Sequence, residues 1–293
     1  MKLIPPLVLD SGDITSNATE TVSDWASGTT YAADDTAIYG NWIYTSLQAA
    51  NTGNQPDTSP TWWSQTAPSN TWAMFDTQVS TQTTRNATMS ITIAPGVYFT
   101  SLALLNISAQ SVDVTVVDGA ETLFNQTYDL NQTVILDWYG YFFEPYDYAT
   151  SIIETNIPPS TTAEITVDFD NGASDVAVGV MVLGTAYELG DSEYGASLGI
   201  RDYSTKDTDA DGVTTFVEGA FSKRLDANVF CGNGAIPAVA KRLQEVRATP
   251  AVWQWSTQDR YSPATIFGYA RDWSIAIQYT NHSILSLDIE GLT

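Results

Sequence analysis

The sequence predicts a mainly β protein: a small aromatic β-module, then a β-sandwich, then a β-rich C-terminal domain with one helix. Two features of composition and one of pattern carry this expectation. Only 15% of residues are charged, and nine Trp and fifteen Tyr accompany many Thr, Ser, Asn and Gln, a mixture that suits pleated, half-buried surfaces. Short apolar runs recur between glycine-containing turns, and a single stretch has a helical period.

Taken in order, residues 1–23 open with MKLIPPLVLD and continue as SGDITSNATETVSD without periodicity. They read as an extended N-terminal arm of the kind that docks on a neighbour. The opening apolar run is broken by Pro5 and Pro6 and is too short for a signal peptide or a membrane span. Residues 24–70 are tryptophan-rich and studded with Gly, Asn, Asp and Pro. Short strands around a small aromatic core are expected there.

From 71 to 190 strand follows strand: SITIAP, YFTSLALLNI, VDVTVVDGAETLFNQTYDL, AEITVDFDNG and VAVGVMVLG. Asp118-Gly119 and Asn171-Gly172 predict hairpin turns, because a tight type I′ turn needs the positive φ that these residues tolerate best. A β-sandwich is the simplest architecture that buries so many strands.

Residues 191–293 form the last unit. A helix is expected near 237–247, with Pro237 in its first turn and Val239, Leu243 and Val246 at i, i+4 and i+7. After it, Trp273, Ile275, Ile277 and Tyr279 share one strand face, while Leu287 and Ile289 alternate with Asp288 and Glu290. The chain is thus expected to end in a half-buried hairpin turning near Asn281-His282.

Charge narrows the function classes. With 34 acidic and 11 basic side chains the formal net charge is -23, which repels a nucleic-acid backbone and an anionic lipid surface alike. One cysteine, Cys231, excludes an intramolecular disulfide, and one histidine, His282, excludes a histidine-cluster metal site. Six Asn-x-Ser/Thr triplets, at Asn17, Asn86, Asn106, Asn125, Asn131 and Asn281, read as chance matches in a Thr/Asn-rich chain whose opening run is not expected to be an export signal.

The stretch DTDADGVTTFVE, 207–218, places Asp207, Asp209, Asp211, Gly212 and Glu218 at the spacing of a calcium loop. A helix should enter such a loop, yet SLGIRDYSTK reads as extended, so the favoured reading is an acidic β-hairpin tip, with calcium as the alternative. In that strand Thr215, Val217, Gly219 and Phe221 are expected to face inward. A serine triad or a Cys231–His282 pair lacks the flanking motifs such chemistry needs. The run LDWYGYFFEPYDY sets Asp137, Glu144 and Asp147 among aromatics, a pattern shared by glycosidase clefts and by ordinary core strands.

Two resemblances add to this. The stretch WASGTTYAADDTAIYGNWIYTSLQAANTGNQPDTSPTWW resembles the small chitin-binding type of carbohydrate-binding module through Trp25, Tyr31, Asp34-Asp35, Tyr39, Tyr44, Asn51, Pro56 and Trp62. Sugar-binding members expose tryptophans just after the second tyrosine, where this chain has Ser46, Leu47, Gln48 and Ala49. The resemblance therefore implies a mainly structural module, with Trp42, Tyr44, Trp62 and Trp63 as the residues available for stacking on a sugar and Trp42 and Trp63 expected to face out.

The stretches APSNTWAMFD (67–76), DWYGYFFEP (137–145), YGASLGIRDYSTKDTDADG (194–212), FVEGAFSKR (216–224) and the closing IEGL (289–292) resemble a family of tailed-phage virion proteins. That resemblance implies a non-enzymatic tail-tip or baseplate connector, homo-oligomeric, bound to other tail proteins, and assembled in the host bacterial cytoplasm into the virion. It also implies that the glycine turn near 212 needs no calcium and no other cofactor. The alternatives are a receptor- or glycan-binding phage protein, a head or neck decoration protein, and a cell-wall-degrading enzyme using the acidic-aromatic run.

Overall fold

A computed structural model of the chain describes residues 1–133, 138, 142, 147–209 and 211–293. The protein is mainly β, and every strand pairing among the described residues is antiparallel. Two large sheets face one another in a sandwich-like stack, and the aromatic module carries two small sheets of its own.

The first large sheet has seven strands. Its backbone is the long strand Glu164–Gly184, which pairs along one edge with Thr83–Ile93 from Ile165 to Val178 and along the other with Ser111–Asp118 over its first part and Ser101–Ser108 over its second. Residues 171–174 interrupt its register against Thr83–Ile93, which resumes at Asp175↔Asn86, and across the same interval the other edge passes from Ser111–Asp118 to Ser101–Ser108. Before that bulge Ile165, Val167 and Phe169 are buried in the core; after it the parity switches and Val176 and Val178 are buried. The Asn171-Gly172 pair is therefore not the hairpin its sequence suggests. Gly172 does take positive φ, but the Asn171 amide donates to the Asp175 carbonyl and the chain continues in the same direction. Asp118-Gly119 does make a hairpin, joining Ser111–Asp118 to Glu121–Asp129.

The strand Ser101–Ser108 explains its own unbroken apolar sequence. Leu102 and Leu104 enter the core of the seven-stranded sheet, while Ala103 and Leu105 face the opposite way, as a strand covered on both faces requires. Ala103, Leu105, Val180 and Val182 meet Ile4, Val252 and Phe267 of the second large sheet, and this seam joins the two layers.

The second sheet has eight strands, among them Lys2–Ile4, Ala251–Gln254, Thr265–Ala276, His282–Gly291 and Phe221–Gly232. Its outer face carries Leu225, Val229, Trp253, Leu285, Leu287 and Ile289. The helix Ile236–Glu245 covers that face with Val239 and Leu243, and Val246 follows at its end, the spacing expected from the sequence. The last two strands pair through Trp273↔Leu287 and Ile275↔Leu285, with the connection at 277–281.

The expected arm over 1–23 is corrected by the fold. Lys2–Ile4 is a strand held between Tyr187–Glu188 and Ala251–Gln254. Leu3 and Ile4 are fully buried, and alternation along the strand sends Leu3 to the helix-covered face and Ile4 to the seam between sheets. The chain then crosses to the other sheet: Leu7 N–H donates to the Leu183 carbonyl (2.8 Å), and Ile14–Ser16 pairs with Thr83–Ile93. The segment staples this molecule's own layers together. Its prolines mark the crossing between sheets, where the chain leaves one ladder before joining the next.

Candidate functional site

The aromatic module is built around Tyr31, Ala37, Tyr44 and Trp63. Tyr31 and Trp63 meet edge to face at 5.0 Å, and Trp25 and Tyr39 do the same at 5.7 Å. The Trp63 indole N–H donates to the Asn54 carbonyl (2.8 Å), and the fully buried Asn51 amide donates to Ser46 Oγ (3.0 Å). The shared pattern of residues is thus a packing pattern. Trp63 is 3% exposed and Tyr44 is buried as well, so the expectation that Trp63 faces out is corrected. Its ring fills the small core and its one polar atom is already bonded. Burial, reinforced by Asp57 and Tyr39, raises the Tyr44 pKa. Trp42 and Trp62 are half-buried, each with part of its surface open to solvent, and they are the two residues of the set that retain access to a ligand.

The acidic stretch after residue 200 is a hairpin. Thr205–Thr208 pairs with Thr214–Val217, and Asp207 stands opposite Thr215 within the ladder. One oxygen of Asp209 accepts from the Asp211 N–H (3.0 Å) and the Val213 N–H (2.8 Å), so this carboxylate shapes the turn. Glu218 lies at the ribbon's root, three strand positions from Thr215, and extended geometry of about 3.4 Å per residue carries it roughly 10 Å from Asp207's level. Among the described residues no group of three or more His, Cys, Asp or Glu side chains converges on a metal position.

This hairpin holds the feature that sequence reasoning missed. Ser197–Asp202 pairs with Phe221–Gly232, and the two strands run on, past a kink at 203–204 and 218–220, into the 205–217 ribbon. At the kink Tyr203 N–H donates to the Ala220 carbonyl, and Gly219 lies so close that a Cβ would sit 2.6 Å from the Tyr203 oxygen. Beyond the kink neither face is covered. Thr215, Val217 and Phe221, expected to face inward, are exposed, and Phe216 is 71% exposed. Phe216, whose ring centroid lies 5.6 Å from Lys206 Nζ, and Val217 point to opposite faces, and Val213 at the tip and Leu198 and Ile200 before the kink are exposed as well. The available signal was the absence of strict alternation in TTFVEGAF, which a half-buried strand would show.

Where the ribbon leaves the sheet, a cleft of about 490 Å3 opens between the two layers. Its apolar walls include Leu105, Ile266, Phe267 and Leu292, and Glu218 and Lys223 are among its polar lining. Lys223 makes no ion pair among the described residues, and the surrounding protein pushes its pKa down.

The catalytic candidates are separated by the fold. Cys231 pairs with Ser283 and points into the core, while His282 sits opposite Gly232 on the other face, so the pleat keeps thiol and imidazole apart. Burial pushes the Cys231 thiol up, away from the thiolate. His282 stacks on Tyr279 at 4.6 Å and bonds the neighbouring Asn281. Asp137 and Glu144 lie outside the described residues. Asp147 is exposed, with its backbone N–H donating to Thr133 Oγ1. Burial raises the pKa of Asp76, although it accepts bonds from Thr81 and the Gln78 N–H that close a local turn.

The chain matches no protein-family model, and a search of curated proteins finds no relative.

Proposed function

We propose that the chain is a non-enzymatic structural subunit of a tailed-phage virion, a tail-tip or baseplate connector that acts through protein contacts. One observation carries the reading: a layered β-scaffold projects a two-stranded ribbon whose large apolar side chains have no core beneath them. An isolated two-stranded hairpin is marginal in water, and large apolar side chains left exposed on both of its faces point to a contact site. Such a ribbon is stable when a neighbouring protein covers it. The stretches that resemble virion proteins support the same view, and those within the described residues are structural in this fold. Met74 of APSNTWAMFD is fully buried, FVEGAFSKR forms the ribbon's root, and Ile289 of IEGL is a core residue of the eight-stranded sheet. The acidic balance disfavours nucleic acid as the partner.

The test is composition. Gradient-purified particles of the phage encoding the chain, digested and quantified by mass spectrometry, contain it at a fixed ratio to the other tail proteins. Particles of full infectivity that lack it overturn the reading, and recovery with head proteins alone moves it to the head or neck. A second reading, glycan binding, rests on the half-open faces of Trp42 and Trp62, since an indole packs on the C–H face of a sugar ring only where it is accessible. A glycan array that gives signal lost in Trp42→Ala and Trp62→Ala favours it.

A further inference from the structure

We propose that the edge strand Ser197–Asp202 pairs antiparallel with the same strand of a second copy, joining two eight-stranded sheets across a two-fold axis. The inference rests on the structural-subunit reading and names the partner of that subunit's exposed edge.

The strand has one partner among the described residues, Phe221–Gly232, and all six of its residues are exposed. Its other side presents free backbone donors and acceptors, which in an unprotected edge strand template pairing with another chain. The usual defences are few and sit at one end, where Asp202 is turned to its own Ser204. The strand contains no proline, and its one basic residue is drawn back over the sheet, where Arg201 pairs with Glu290 at 3.2 Å. Leu198 is 47% and Ile200 67% exposed, both on the same face by alternation.

The sequence of the strand is compatible with itself. A two-fold axis perpendicular to the sheet keeps each face on its own side, so paired positions must have the same parity. Centred on Gly199, the register sets Leu198 against Ile200 of the second copy, and Ile200 against its Leu198, making one apolar cluster of four side chains. Arg201 meets Ser197, Asp202 meets Ala196, and Gly199 meets Gly199, so no like charges stand opposed. A Cβ built on Gly199 finds nothing within 4 Å, which leaves the centre open for close approach.

Charge selects the second copy's approach. Residues 1–200 hold 23 acidic and 2 basic side chains, whereas residues 201–293 hold 11 and 9. Two copies of so acidic a chain repel one another through most of their surface. They meet at least cost where charges balance, and beside the edge strand Arg201, Lys223 and Arg224 offset Asp202, Asp226 and Glu290.

Sedimentation equilibrium of the purified full chain, from micromolar to millimolar and at low and high salt, tests this. The expected species has twice the 31.8 kDa chain mass, and it strengthens as salt screens the net charge. Ile200→Asp weakens association at least about 100-fold, because the two-fold axis counts the substitution twice. Ile277→Asp, at a side chain 73% exposed near the far end of the sheet, leaves it unchanged. Circular dichroism confirms that both variants fold. A monomer under every condition overturns the proposal and leaves the edge to a different chain, and so does a dimer indifferent to Ile200→Asp. A chain that is monomeric yet built into particles rejects strand pairing and keeps the virion reading; a strand-paired dimer absent from particles does the reverse.

Discussion

Ile4→Ala separates a structural staple from a free arm. Ile4 is fully buried in the seam that joins the sheets, against Val180, Val182, Val252 and Phe267 among others. The substitution removes three carbon groups, worth about 0.8 kcal/mol each in transfer, or roughly 2.4 kcal/mol. The cavity left between two rigid sheets adds to this, so the expected loss is about 3–4 kcal/mol, inside the usual range of about 2–5 kcal/mol for such changes. Val8→Ala, at a side chain 95% exposed four residues on, serves as the control and should stay within about 0.5 kcal/mol. Equilibrium urea unfolding, followed by far-UV circular dichroism and tryptophan fluorescence, reads both. Trp253 stands opposite Leu3 and reports on the sheet that the staple enters. An Ile4→Ala protein as stable as the Val8→Ala control would refute the reasoning, because a detached arm contributes nothing to unfolding.

Other expectations follow from the same contacts. A Cβ on Gly184 would lie 2.1 Å from the Pro5 carbonyl oxygen, so Gly184→Ala should displace the staple and lower the thermal midpoint by several degrees, which differential scanning calorimetry measures. The Ser160 and Thr162 hydroxyls hold the Asp118 carboxyl below its usual value of 3.8. With the folded-state pKa depressed, this clasp stabilises above pH 3.8 and is lost as pH falls through the lowered value. A Ser160→Ala/Thr162→Val protein should therefore melt earlier than wild type at pH 7, and the gap should close as pH falls through that lowered value; a gap that persists in acid would reject the clasp. Millimolar calcium should leave the melting temperature and calorimetric baseline unchanged, since Asp209 serves the turn and Glu218 lies at the ribbon's root.

How much of this was readable beforehand depends on whether local chemistry had one structural meaning. The helix was legible because Val239, Leu243 and Val246 keep a helical period that a covered sheet face demands. Asp118-Gly119 and Asn171-Gly172 are alike locally, since both supply a positive-φ glycine. One turns the chain and the other bulges it, and the difference lies in the neighbouring strands that hold Glu164–Gly184 on both sides of the interruption. The N-terminal strand was illegible because three residues carry no measurable period, and Pro5-Pro6 look the same in a crossing between sheets as in a loose arm.

The candidate sites divide in the same way. Trp63 and Tyr44 read equally well as ligand platform or core, and tertiary packing decided for core. The acidic hairpin was legible from the missing entering helix, whereas the exposed apolar ribbon was not. A sequence states which residues are apolar, but only the fold shows that Phe216 and Val217 project where their own chain offers no cover.

Hydrogen exchange over residues 205–217, in the free chain and in assembled particles, tests most directly whether this ribbon is a protein contact. Coverage by a neighbour predicts rapid exchange in the free chain and strong slowing after assembly, with the segments around Trp42 and Trp62 unchanged. Equal exchange in both states, or slowing confined to the aromatic module on adding glycan, would contradict it.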